Sequence, residues 1–171
     1  MQNLYLLYGK LRHYYQSYIA YNNFTGSLIK DNIYIGNVYD AYDIETLKKL
    51  NINNVISAVI GFDNIYNSDI NHLSLTLIDN ESQDIIRYFE ISNHFIDNIV
   101  EKKEVLLIHC IAGRSRSVTL LLAYLIYKYK YSVDEALQLV KEKRAIIEPN
   151  ANFIKQLHIY YDKLYNKKKA D

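Results

Sequence analysis

Hydrophobic positions along the chain fall into two rhythms, one of three to four residues and one of two. Residues 4–21 place Leu4, Leu7, Tyr8, Leu11, Tyr14, Tyr15, Tyr18 and Ile19 at helical spacing, which predicts an amphipathic helix. Asn22-Asn23-Phe24-Thr25-Gly26 interrupts it. Ser27–Lys30 and Ile33–Ile35 read as two short strands around the turn pair Asp31-Asn32. Ala41, Ile44, Leu47 and Leu50 predict a helix from Asp40 to Leu50. The β-branched run Val55–Ile60 predicts a buried strand, and the alternation of Leu73, Leu75 and Leu77 predicts another over His72–Ile78. Asp84 is placed to N-cap a long helix reaching Lys103, with Ile85, Tyr88, Phe89, Phe95, Ile96 and Ile99 on its apolar face. Val105–Ile108 is short and apolar, as a central strand would be. The helix predicted from Ser117 to Tyr129 is apolar almost all round and belongs inside the domain. Ser132 and Glu135 form a capping box for a helix running to Arg144, and after Pro149 a last helix covers Asn150 to Asn166. Strands alternating with helices predict an α/β domain: a mainly parallel central sheet flanked by helices.

Composition narrows the function. The chain has 171 residues, one domain's worth, and half are hydrophobic, enough for a sizeable core. Lys and Arg total 20 against 19 for Asp and Glu, a net charge of +1. That balance gives no electrostatic reason to expect a nucleic-acid or membrane-surface partner. No run of about 18 apolar residues occurs, so no membrane span is expected. The opening segment lacks the cationic start and uninterrupted apolar stretch of a secretory signal. A single cysteine excludes an internal disulfide framework and a multi-cysteine zinc site, and points to a reducing, intracellular setting. The five histidines show no paired ligand spacing, so neither a metal nor a cofactor is expected.

The chemistry concentrates in Val105-Leu106-Leu107-Ile108-His109-Cys110-Ile111-Ala112-Gly113-Arg114-Ser115-Arg116-Ser117-Val118, a strand, a loop and a helix start. Ligands of open α/β sheets bind beyond the carboxyl ends of strands, which is where Cys110 falls. The loop enters a helix N-terminus, whose free N–H groups and dipole attract an anion. Gly113 permits a turn that a Cβ would obstruct. Arg116 offers a planar fork of donors for two phosphate oxygens. The same field stabilises a Cys110 thiolate, since a helix N-terminus with nearby cations lowers a thiol pKa from ~8.5 to roughly 3.5–7.5. A thiolate held in an anion cradle is a nucleophile aimed at phosphorus. Arg114, by spacing, is a rim charge at the pocket mouth, expected to favour acidic or doubly phosphorylated peptides.

These residues resemble a known family. His109-Cys110, five residues, then Arg116-Ser117 is similar to the signature of cysteine-dependent protein phosphatases. The string Ala112-Gly113-Arg114-Ser115-Arg116-Ser117 resembles the dual-specificity branch, which acts on phosphotyrosine and on phosphoserine and phosphothreonine. Ile33-Tyr34-Ile35-Gly36-Asn37, Leu47 to Ile56, and Pro149 to Leu157 are similar to further stretches of that family, so the resemblance covers roughly residues 28–160. Length and the added N-terminal helix look most like the small poxviral members.

The resemblance implies a cysteine-phosphatase fold and assigns roles. Cys110 attacks phosphorus. Arg116 and the loop Ile111, Ala112, Gly113, Arg114 and Ser115 hold the phosphate oxygens. Asp79 protonates the leaving oxygen and then helps water attack the phosphocysteine. Ser117 aids thiolate departure, His109 sets loop geometry, and Asn150 braces the loop. It further implies residues 27–166 as the catalytic domain. The helix of residues 1–26 either packs on its own domain or, by analogy with the poxviral members, serves as the arm of a homodimer, and 167–171 reads as a basic tail. Phosphoprotein substrates follow, host signalling proteins among them, with a site of action in the host cytoplasm or the virion. The competing readings keep the chemistry but change the substrate, to an RNA 5′-phosphate or a phosphoinositide, or keep phosphate binding without turnover.

Overall fold

The computed structural model describes residues 24–62, 66 and 69–166. The helix read over residues 4–21, most of the proposed dimer arm and the basic tail lie outside the described residues.

Chain order is β1 (Ser27–Lys30), β2 (Ile33–Gly36), α1 (Val38–Tyr42), α2 (Ile44–Lys49), β3 (Ile52–Ala58), β4 (Asn71–Leu75), a 3₁₀ turn (Ile86–Tyr88), α3 (Phe89–Glu101), β5 (Val105–His109), α4 (Arg116–Tyr129), α5 (Val133–Lys143) and α6 (Ala151–Tyr165). The sheet runs β1-β2-β5-β3-β4. Only the β1–β2 pair is antiparallel, and the others are parallel. This is the α/β architecture expected from the alternation. Asp31 and Asn32 both take positive φ, 49° and 62°, as a tight hairpin turn between twisted strands requires.

Apolar residues fill both faces of the sheet. The larger core joins Ile33, Ile35, Ile56, Leu106 and Ile108 to α3, α4, α5 and α6, and the smaller lies under α1 and α2 around Ala41, Leu47, Val55, Phe62 and Leu107. β5 sits between β2 and β3, buried from Leu106 to His109, and delivers the signature loop at its carboxyl end. Every residue of α4 from Val118 to Ile126 is buried, so the helix that follows the loop is anchored on all sides.

Three expectations shift. The helix read over 40–50 is two short helices, because Asp43 ends α1 and caps α2, its carboxylate accepting from Thr46 N–H at 3.0 Å. The strands read at Val55–Ile60 and His72–Ile78 pair as Ile52–Ala58 and Asn71–Leu75. Asp84 caps nothing: Ile85 and Ile86 N–H both donate to Gln156 Oε1 of α6 at 2.9 Å, and a 3₁₀ turn precedes α3. A side chain distant in sequence does the work that the local pattern gave to Asp84. The capping box of Ser132 and Glu135 stands where the sequence placed it, and the last helix begins after Asn150, which caps it.

Candidate active site

Residues 110–115 leave β5 and curl back into α4. Almost every carbonyl of this loop is tied outward. His109 Nδ1 lies 3.4 Å from Cys110 O; Val38 N–H donates to Ile111 O at 3.2 Å; Arg144 Nε donates to Gly113 O at 2.8 Å. Glu148 N–H donates to Arg114 O at 2.8 Å, and Thr119 donates to Ser115 O through its N–H at 2.8 Å and its hydroxyl at 2.9 Å. In a trans peptide the N–H points opposite to the carbonyl of the same unit. Holding the carbonyls out therefore turns the N–H groups of Ile111, Ala112, Arg114, Ser115 and Arg116 inward, which makes an anion cradle. Gly113 reverses the chain with φ +63°, and a Cβ there would stand 2.5 Å from Gly36 O.

Cys110 sits at the base of the cradle, buried. Ser117 Oγ donates to its sulfur at 3.3 Å. Burial pushes the thiol pKa up, but the Ser117 hydroxyl and N–H, the Arg116 charge and the Arg114 N–H outweigh it, so the pKa falls below the ordinary thiol value. His109 is also buried, and burial is the main reason its pKa drops to about 3, with His72 and Arg116 adding to the effect against the Cys110 carbonyl. It is neutral at physiological pH.

Arg116 is nearly buried, and its Nη1 donates to Leu77 O at 3.1 Å. Its Nε has no hydrogen-bond partner: Asp79 Oδ2 lies 3.6 Å away, close enough for ion pairing but beyond hydrogen-bond reach. A buried donor left open beside a cradle of N–H groups is suited to a phosphate oxygen. Asp79 follows β4 and meets the loop: its Oδ1 accepts from Ser115 Oγ at 2.9 Å and from Asn150 Nδ2 at 2.8 Å. Asn150 serves twice, since its Oδ1 also caps α6 through Phe153 N–H at 2.9 Å. The fold thus brings His109, Cys110, Asp79, Arg116, Ser117 and Asn150 together.

Arg114 differs from the expectation of a free rim charge. Its guanidinium pairs with Glu148 and donates to Ile146 O at 3.1 Å. Its contribution to the cradle is its backbone N–H.

Sequence reasoning missed Arg144. This residue is 5% exposed and joins Gly113 O to Thr25 O, the latter at 2.8 Å. Burial lowers its pKa, against the pull of Asp40 and Cys110. Asp40, itself buried, accepts from Thr25 N–H at 2.6 Å and from Asn37 N–H at 2.7 Å, which ties the same corner together. A lone arginine between a helix end and Pro149, in a chain with five arginines, was the available signal.

A strand-end cysteine in a closed amide cradle, an arginine beside it and a carboxylate across from it define a class, the cysteine-dependent phosphatases. Residues 33–163 match the family described as dual specificity phosphatase, catalytic domain, and the chain belongs to that family. It is 39% identical over 136 residues to tyrosine-protein phosphatase yvh1 of Schizosaccharomyces pombe, a match covering 80% of this chain and 41% of the relative. It is 37% identical over 131 residues to human dual specificity protein phosphatase 9, covering 75% and 34% respectively. The chain thus spans under half the length of these two curated relatives. The solved Yvh1 phosphatase domain from Chaetomium thermophilum superposes with a TM-score of 0.74 at 31% identity, over 81% of this chain and 96% of that one.

Proposed function

We propose that this chain is a dual-specificity protein phosphatase that hydrolyses phosphotyrosine and phosphoserine or phosphothreonine through a phosphocysteine. The observation that carries the reading is the Cys110 sulfur under the Ser117 hydroxyl at 3.3 Å, within a loop whose N–H groups turn inward. The thiolate attacks phosphorus, the S–P bond forms and the P–O bond to the leaving group breaks. Arg116 and the loop amides bind the equatorial oxygens more tightly as charge develops on them. Asp79 passes its proton to the leaving oxygen, because an alkoxide or phenoxide leaves poorly. Asp79 then takes a proton from water as that water attacks phosphorus, the S–P bond breaks, and Ser117 steadies the departing thiolate. The cycle releases inorganic phosphate and needs no metal.

Phosphoproteins are the substrates that fit best, in keeping with the names of the relatives. The same reading favours a reducing compartment, since the one sulfur must remain a thiolate to act. For residues 1–26 it favours a homodimer arm: their tyrosine stripe offers large contact area at low entropic cost. Deleting residues 1–22 is expected to halve the mass seen by light scattering, and an unchanged mass rejects the arm.

Turnover of para-nitrophenyl phosphate by the wild type, lost in Cys110→Ser, tests the enzyme against a phosphate-binding module. A phosphopeptide panel captured on Asp79→Ala tests the protein substrate, and preference for an RNA 5′-phosphate or a phosphoinositide over every peptide would redirect the assignment.

A further inference from the structure

Behind the nucleophile, on the sheet face covered by α1 and α2, three polar side chains from three neighbouring strands meet. Ser57 Oγ of β3 lies 2.6 Å from His109 Nε2 of β5 and 2.7 Å from His72 Nε2 of β4. Ser57 is opposite His109 in the β3–β5 register, and His72, opposite Val55, reaches Ser57 along the diagonal. Ser57 and His109 are fully buried and His72 partly so. The Phe62 ring packs at 4.6 Å on His109 and the Tyr66 ring at 4.8 Å on His72, so the hydroxyl sits under an aromatic roof.

Donor and acceptor counting fixes the direction of this chain. The Cys110 carbonyl can only accept, so its His109 contact at 3.4 Å requires the proton on Nδ1. A neutral imidazole then has a bare Nε2, which must accept from the Ser57 hydroxyl. That hydroxyl has one proton, so its oxygen accepts from His72 Nε2–H. All three donors point toward Cys110. The reverse direction would leave the bare Nδ1 of His109 facing a carbonyl oxygen.

We propose that Ser57 and His72 are positioning residues for Cys110, acting through the one-way hydrogen-bond chain His72 to Ser57 to His109 to the Cys110 carbonyl. Fixing that carbonyl fixes the Ile111 N–H of the same peptide unit inside the cradle. The chain therefore acts on the nucleophile through the peptide that follows it. The charged groups bearing on the sulfur, Arg116 and Arg144, with Asp79 beside Arg116, are untouched by changes at Ser57 or His72. The inference rests on the reading of Cys110 as a thiolate nucleophile.

The test is the pH dependence of iodoacetamide alkylation of the full chain, in the wild type and in Ser57→Ala, His72→Phe and His72→Gln. Phenylalanine keeps a ring beside Tyr66 but donates nothing, whereas the glutamine amide restores a donor near the Nε2 position. Ser57→Ala and His72→Phe are expected to move the alkylation midpoint up by about half to one pH unit, and alkylation well below the midpoint slows roughly three- to tenfold. The acidic limb of kcat/KM for para-nitrophenyl phosphate moves with it, and His72→Gln returns both toward the wild type. The two His72 variants decide the matter if Ser57→Ala does not fold. A low wild-type midpoint shared by every folded variant overturns the chain while leaving the nucleophile intact. A wild-type midpoint near that of a peptide thiol, ~8.5, overturns the nucleophile and this inference with it.

Discussion

At the residue scale the site is built from donors that have few other uses. Ser117 is fully buried, and its hydroxyl donates to the Cys110 sulfur rather than to a backbone carbonyl of its own helix. In the proposed cycle that donor matters most when sulfur regains its charge, as the S–P bond breaks. Ser117→Ala is therefore expected to slow hydrolysis of the phosphocysteine more than its formation, lowering kcat on the order of 10²-fold and lowering KM with it. A burst of para-nitrophenol before steady turnover is the measurement, and a fall in kcat/KM equal to that in kcat would contradict the assignment. Arg114 shows the opposite economy. Its exposed pair with Glu148 holds the guanidinium at little energetic cost, since such pairs contribute about 0–1 kcal/mol. Glu148→Ala should free it and raise kcat/KM for peptides with acidic neighbours by up to about fivefold, an effect that salt removes and that the Arg114→Ala/Glu148→Ala double variant lacks. Equal ranking of peptides before and after Glu148→Ala would show that the rim charge does not read sequence.

At the scale of elements, the loop between β5 and α4 is held in shape by what its carbonyls bind. The strand, the loop and the helix were legible in residues 105–118, because an apolar run, a glycine and a helix start are all local signals. The partners of the carbonyls were not: Val38, Arg144 and Glu148 come from other parts of the chain, and no periodicity announces them. The same reason explains Asp84, where Gln156, brought in by α6, outcompetes a sound local capping signal. Gly113→Ala tests the element directly. Its φ of +63° and the 2.5 Å approach to Gly36 O leave no room for a methyl group. We expect a loss of about 1–3 kcal/mol in denaturant unfolding and a collapse of turnover. Wild-type stability with full activity would mean that the loop can reshape without cost.

At the scale of the whole molecule, the site sets how stability depends on pH. His109 stays neutral in the folded state down to about pH 3, while in the unfolded chain an imidazole takes up its proton near pH 6.5. Between those values the unfolded state binds one more proton than the folded state, so stability rises with pH there and is lost on acidification. The slope from this one group is about 1.4 kcal/mol per pH unit. Cys110 contributes with the same sign. Its folded pKa is depressed, so its contribution is complete above the ordinary thiol value and is lost as pH falls through the folded one. A Tm series from pH 4 to 9 reads both groups. Cys110→Ser should remove the slope between the folded thiol pKa and the ordinary thiol value and keep the slope that His109 gives on acidification, because the serine does not ionise and His109 remains buried. The ring nitrogen shifts of His109 in ¹⁵N spectra should hold the neutral, Nδ1-protonated pattern down to at least pH 5. An imidazole that titrates near 6.5, or an acid limb that Cys110→Ser abolishes, would show that the sheet does not keep this histidine dry, and the geometry built on it would have to be drawn again.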